Sequence, residues 1–217
     1  IRNILAYRVA NEIMEYAPRT RLCELYIDES YNGFYVLIEK IKRDKNRVNI
    51  DKNKTVDING SFIFKFDKME NGQYYVENGD YPVGFTGYKE YVETSSGLRI
   101  SYEYPDFDDI EDDTNIKAYF EEIENTLNND SLECIDVDSF IKYVLCQELG
   151  LNIDGYWCST FMYKKEDDKK LYFGPVWDFN LAFDNSNYNN FKIDELKIIE
   201  NKNGHKAESF FYKIFSL

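Results

Sequence analysis

Two runs decide the fold: Leu151-Asn-Ile-Asp-Gly-Tyr-Trp-Cys-Ser-Thr-Phe-Met-Tyr-Lys-Lys165 and Lys170-Leu-Tyr-Phe-Gly-Pro-Val-Trp-Asp-Phe-Asn-Leu-Ala-Phe183, joined by the charged turn Glu166–Lys169. Two apolar runs around a four-residue polar turn predict an antiparallel hairpin. Centred between Asp167 and Asp168, it sets Tyr163 opposite Leu171 or Tyr172, and Cys158 or Ser159 opposite Val176 or Trp177. The pairing then carries Asp178 to the same end as Asp154. Close carboxylates repel unless a cation sits between them or one is protonated. Magnesium suits such a pair, because it takes one or two carboxylates and completes its shell with water and phosphate oxygens. The bland alternative has Asp154 capping a turn and Asp178 pairing with a Lys. Against it, each Asp lies inside an aromatic and apolar run, where an unpaired charge is costly.

Working outward, a helix capped by Asp136 or Asp138 is expected to run to Leu149, with Ile141, Val144, Leu145 and Leu149 on one face and Gly150 as its left-handed end. Before it, Asp108 to Asn128 has helical spacing at Ile116, Tyr119, Phe120, Ile123 and Leu127. The front half reads differently. A helix from Ile1 to Tyr16, with Ile4, Leu5, Val9, Ile13 and Met14 apolar, is stopped by Pro18. Leu22–Ile27 and Phe34–Ile41 read as a hairpin turning at Asn32-Gly33. Further strands are expected at Phe62–Phe66, Gln73–Glu77 and Tyr88–Thr94. The fold class is therefore α+β, with a sheet-rich front lobe over residues 1–104 and a helix-led rear lobe over 105–217. Both ends open into helical patterns and read as trimmed from something longer.

Composition bounds the function. Forty acidic residues against 26 basic give a formal charge of −14, which argues against a general nucleic-acid binder. It permits divalent cations and fits basic protein substrates. The basic run Lys40-Ile-Lys-Arg-Asp-Lys-Asn-Arg47 reads more readily as a solvated turn than as a phosphate site. Four cysteines (Cys23, Cys134, Cys146, Cys158) without a CxxC pair, and a single His, make a zinc site a poor reading. The cysteine count permits two disulfides without requiring them, and Cys146 reads as a small buried hydrophobe. His205 reads as a surface residue. Sequons stand at Asn53, Asn59 and Asn129, and no apolar run is long enough to span a membrane.

The order of helix, loop with Asp154, short hairpin and Asp178-Phe179-Asn180 follows the logic of a protein-kinase rear lobe. Ser159 stands where a kinase loop has its metal-binding Asn, and Asn152-Ile153 where it has His-Arg. The chain also resembles the spore-coat protein H (CotH) kinase family. The similar segments are Arg2–Tyr7, Tyr16–Thr20, Glu24–Tyr26, Gly33–Tyr35, Glu39–Arg43, Arg47–Ile50, Phe62–Lys65, Asn152–Asp154, Ser159-Thr160 and Gly174–Phe179. That resemblance implies an atypical, kinase-like two-lobed fold that transfers the γ-phosphate of ATP to Ser or Thr of a protein, with Mg²⁺ (or Mn²⁺ or Ca²⁺). By position it implies Asp154 as the catalytic-loop Asp and Asp178 as the main metal ligand, with Ser159 a weaker one. Glu39, Lys40 and Ile41 become the hinge beside adenine, and Trp177 and Tyr156 walls of the cleft, although packing suits either ring as well. Lys40 and Lys65 are the available stand-ins for a phosphate-binding Lys, although a solvated or snorkelling side chain suits each as well. It also implies export or a spore or cell surface. Competing readings are a surface adhesion module that keeps the fold without the chemistry, a pseudokinase, and a kinase for a small molecule.

Overall fold

The computed structural model describes residues 1–54, 57–67, 91–106, 113–186, 195–200 and 202–217. The first helix, α1 (Arg2–Ile13), buries Ala6, Tyr7 and Ala10. Leu5 and Ile13, expected on its inner face, are exposed. Small residues one turn apart allow a neighbour to approach closely, and the aromatic Tyr7 fills the remaining contact. The hairpin that follows pairs β1 (Thr20–Ile27) with β2 (Ser30–Ile38). Its turn falls earlier than Asn32-Gly33 predicts. Asp28 and Glu29 take the left-handed conformation that a tight two-residue hairpin turn requires. Gly33 (φ 118°) instead sits opposite Leu25, beside the register shift at Leu25/Tyr26.

Among the described residues the main sheet has five strands, in the order β4-β5-β3-β6-β7. They are β3 (Phe62–Phe66), β4 (Val92–Glu93), β5 (Arg99–Tyr104), β6 (Thr160–Lys164) and β7 (Tyr172–Phe173). β3 lies at its centre, antiparallel to both β5 and β6. This sheet thus draws strands from both sides of residues 104–105. The sequence pattern does not predict β5. The expected strand Gln73–Glu77 lies outside the described residues, as does the first part of Tyr88–Thr94; within its described part, 91–94, Val92–Glu93 forms a strand.

Helix α2 (Thr114–Asn128) buries Ile116, Tyr119, Phe120, Ile123 and Leu127, the five residues whose spacing predicted it. In α3 (Val137–Gly150), Asp136 is the cap, accepting from the Ser139 N–H at 3.0 Å. Its buried face carries Phe140, Tyr143, Val144, Cys146, Gln147 and Gly150. Of the expected face Val144 is buried, but Ile141, Leu145 and Leu149 are exposed. Three aliphatic residues at helical spacing fix a periodicity but not its phase, and here the larger aromatics take the core side. Cys146 is buried as expected, and that burial pushes its thiol up to about 11. Two short helices, α4 (Lys197–Glu200) and α5 (Lys206–Phe215), follow. Phe211 of α5 packs against Phe140, Tyr143, Tyr156 and Phe173. Among the sequons, Asn53 is buried and donates to the carbonyls of Asp57 and Ser61.

Gly150 is needed for space rather than for its backbone conformation. The left-handed end of α3 is Leu151 (φ 46°), and a Cβ on Gly150 would lie 2.9 Å from the ring of buried Phe179. Gly150→Ala is expected to cost about 1–3 kcal/mol, read as a lowered thermal midpoint. An unchanged midpoint would mean that Phe179 does not pack there.

Candidate functional site

The 151–159 loop is built by hydrogen bonds from the residues around Asp154. The Asp154 carbonyl accepts from the Trp157 and Cys158 N–H groups at 3.2 and 3.0 Å. The Tyr143 hydroxyl donates to the Gly155 carbonyl at 2.7 Å. Gly155 has no room for a side chain, because a Cβ would meet the Gln147 Oε1 at 2.5 Å. Asp154 is 7% exposed in this turn, so its carboxylate is held where water alone cannot solvate it fully.

The hairpin forms in the predicted register, with Tyr163 opposite Tyr172 and Met162 opposite Phe173. It is shorter than expected. The Gly174 N–H still reaches the Phe161 carbonyl at 2.9 Å, but Pro175 has no N–H to continue the ladder. Cys158 and Ser159 are therefore not strand partners of Val176 and Trp177. The Phe183 N–H donates to the Gly150 carbonyl at 2.6 Å, and a side chain ties the Asp178 backbone to the Asp154 loop. Asn152 is almost fully buried, and its Nδ2 donates to the Asp178 carbonyl at 3.4 Å and to Gln147 Oε1 at 2.9 Å. Its Oδ1 accepts from the Asp154 N–H at 3.4 Å. One amide thus clasps the backbones of both acidic residues.

The opposite side of the Asp178 segment is held by α1. The Asp178 N–H donates to the Tyr7 hydroxyl at 3.0 Å, and the Phe179 N–H to Asn3 Oδ1 at 2.6 Å. Asn3 Nδ2 donates to Asn180 Oδ1 at 3.0 Å, and Arg2 Nε to the Asn180 carbonyl at 3.1 Å. Burial and the nearby Asp178 charge both raise the Tyr7 hydroxyl well above its ordinary value, so it stays a neutral hydroxyl. Asp178 is half-buried in the left-handed region (φ 49°), and its Oδ1 accepts from the Asn180 N–H at 3.1 Å. Phe179 is fully buried, edge-on to Tyr7. Asn3 and Tyr7 are four residues apart, so they share the face of Ala6 and Ala10. That polar pair on a small-residue stripe is a signal the sequence reading passed over.

The other predicted residues are placed as follows. Glu39 accepts from the Arg19 backbone N–H at 3.0 Å and from its guanidinium at 2.9 and 2.6 Å, and Tyr16 donates to it. Lys40 pairs with Glu103 at 2.9 Å and Lys65 with the same carboxylate at 3.6 Å. Ile41 is buried with Val48, Ile50, Ile63, Phe161 and Tyr163. The basic run beginning at Lys40 is largely structural: Arg47 donates to the Lys40 carbonyl at 3.1 Å, and Arg43 lies 5.4 Å over the Tyr104 ring. Trp177 stacks on Tyr7 at 6.0 Å and meets Phe161 edge-on. Tyr156 is a core residue rather than a cleft wall, fully buried with its hydroxyl donating to Glu148 at 2.6 Å. His205 is exposed, as expected, and its ring stacks on Trp157 at 4.3 Å.

Hydrogen bonds from Arg19 hold the Glu39 carboxyl below its ordinary value of 4.5. A depressed folded-state value contributes stability that is present above the unfolded value and lost as pH falls through the folded one. The thermal midpoint of Glu39→Gln should therefore lie below that of the wild type at neutral pH. The gap should close on acidification below about pH 4, and a gap that persists there would contradict the pairing.

Among the described residues no three His, Cys, Asp or Glu side chains converge as a metal cage. The side chains that the sequence assigns to an ion, the Asp154 and Asp178 carboxylates and the Ser159 hydroxyl, all present hard oxygens. That set fits a magnesium ion finishing its shell with phosphate and water, and does not suit zinc.

The chain is thus an α+β protein in which a buried acidic loop and an Asp-Phe-Asn segment are fastened together beneath an N-terminal helix. The family model described as CotH kinase protein matches residues 1–214, nearly the whole chain, and the chain belongs to the CotH kinase family. No curated protein matches it.

Proposed function

We propose that the protein is an atypical protein kinase that transfers the γ-phosphate of ATP to a Ser or Thr hydroxyl. The observation behind this reading is the Asn152 clasp, which fastens the Asp154 loop to the Asp178 backbone. Two acidic residues held together in an apolar setting suit a polyphosphate with its cation. Family membership supplies the reaction class. In this reading residues 1–104, with helix α1 and the β1–β2 hairpin among them, supply the front lobe. Residues 39–41 are the hinge beside adenine, and Trp177 packs at the back of the cleft.

Asp178, Asp154 and Ser159 would hold the ion, whose charge offsets that of the transferring phosphoryl group. Asp154 takes the proton of the acceptor hydroxyl as that oxygen bonds to the γ-phosphorus and the bond to the ADP oxygen breaks. Asn3 and Tyr7 keep the Asp178 backbone in its left-handed turn, so that the carboxylate faces the phosphates without reorganising. Lys40 and Lys65 are the available phosphate contacts, each of which would first have to leave Glu103. The acidic surface favours basic segments as acceptors. An exported or cell-surface location accords with the family. Among the described residues no helix is long and apolar enough to cross a membrane.

One observation favours a second reading, a surface-binding module of the same fold. The β1–β2 hairpin exposes Leu22, Tyr26, Ile27, Tyr31, Phe34 and Leu37 across its two faces, apolar surface of the kind that marks interaction sites. A thermal-shift titration with ATP separates the two. The kinase reading expects the midpoint to rise with ATP only when Mg²⁺ or Mn²⁺ is present, growing logarithmically with concentration. No shift with either metal, and no transfer to any acceptor, would leave the binding module.

A further inference from the structure

The register of β3 on β6 sets Phe66 opposite Thr160, so the next residue, Asp67, comes level with the end of the 151–159 loop. Asp67 Oδ1 accepts from the Ser159 backbone N–H at 3.4 Å and from the Cys158 thiol at 3.3 Å. The carbonyl of the same Cys158–Ser159 peptide accepts from the Thr160 hydroxyl at 3.1 Å. One peptide unit is therefore gripped at both ends, by Asp67 on its N–H and by Thr160 on its C=O. Ser159 needs such a grip. Its φ is 52°, in the left-handed region that residues bearing a Cβ seldom occupy. Without a partner for its N–H, the peptide can rotate and release Ser159 to ordinary backbone angles.

We infer that Asp67 is a positioning residue of the phosphate-transfer site. Its carboxylate fixes the plane of the Cys158–Ser159 peptide, and thereby aims the Ser159 hydroxyl and steadies the loop bearing Asp154. The inference rests on the kinase reading for its effect on catalysis. Its effect on the loop stands on the hydrogen bonds alone. The role belongs to the acceptor oxygen rather than to the charge: an amide at position 67 keeps an Oδ1 for both donors, and a methyl group keeps none.

The test compares the wild type with Asp67→Asn and Asp67→Ala, using the same chain in each case. Asp67→Ser, whose hydroxyl falls short of the Ser159 N–H, is a second truncation should the alanine variant not fold. Amide hydrogen exchange across residues 154–160 is read in the unliganded protein. The kcat and the KM for Mn–ATP are then measured separately. The truncations should accelerate exchange at the Ser159 amide by about tenfold or more. They should lower kcat by a similar factor, with KM changed less than about threefold. Asp67→Asn should restore most of both. Wild-type exchange in the truncated variants would overturn the proposal. So would an asparagine variant that keeps its amide protection yet loses as much kcat as the alanine one, because the charge itself would then be at work. A wild type without transfer activity would refute the kinase reading, while the exchange measurement would still decide what Asp67 does to the loop.

Discussion

Asp178→Asn is expected to lower phosphate transfer by about three orders of magnitude while leaving the fold intact. The substitution preserves shape. An asparagine Oδ1 can still accept from the Asn180 N–H, and the bonds to Tyr7 and Asn152 run through the backbone of residue 178 rather than its side chain. What disappears is the negative charge that would face the cation, and a neutral amide oxygen is a much poorer magnesium ligand. The rate of γ-phosphate transfer and the thermal midpoint should be measured on the same preparation. A rate loss with the midpoint changed by no more than about 2 °C is the predicted pattern. A variant that transfers phosphate at the wild-type rate would remove Asp178 from the site.

Asn152→Ala should harm both stability and activity. The amide is almost fully buried, and three partners depend on it: Gln147 Oε1, the Asp154 N–H and the Asp178 carbonyl. Truncation takes a partner from all three, two of them buried and the Asp178 carbonyl part-buried, and each buried orphan costs on the order of 1–3 kcal/mol. Partial relaxation makes a net loss of about 2–4 kcal/mol the expectation, seen in chemical denaturation. Transfer should fall about a hundredfold in the folded fraction, because the two acidic segments lose their common fastening and small misplacements are costly. Normal stability and activity together would show that the clasp is incidental. Asn152→Asp should be no better, since it buries a carboxylate against Gln147 Oε1 and the Asp178 carbonyl.

Much of the rear half was legible in the sequence, and the reasons are physical. The α2 stripe was read correctly because its five apolar residues are large, evenly spaced and set among charges. The β6–β7 register followed from a short polar turn between two apolar runs, which leaves little freedom to slip. The inner face of α3 was read from aliphatic residues, whereas Phe140 and Tyr143 face inward. There the phase depends on what α5 brings from fifty and more residues away, and no local pattern records that. Asn32-Gly33 is the stronger turn former and points to a turn there. The chain turns at Asp28-Glu29, and Gly33 serves the irregularity in the strand.

The site shows the same division. Asp154 and Asp178 could be singled out because charge inside an apolar run is visible in one dimension. Asn152, Asn3, Tyr7 and Asp67 could not, because their importance lies in hydrogen bonds to backbone groups far along the chain. Asn3 reaches residues 179 and 180, and Asp67 reaches 158 and 159. A polar residue that holds a distant peptide looks, in sequence, like any other polar surface residue. The left-handed conformations of Ser159 and Asp178 were hidden for the same reason: neither residue advertises it, as a glycine would.

A crystal of the protein grown with Mn²⁺ and a non-hydrolysable ATP analogue, with data collected at the manganese edge, tests the shared site most directly. The predicted result is an anomalous peak bonded to an Asp178 oxygen, to a phosphate oxygen and, directly or through one water, to Asp154. The contrary result is a structure in which those two carboxyl groups point to different surfaces and no manganese lies between them and the nucleotide.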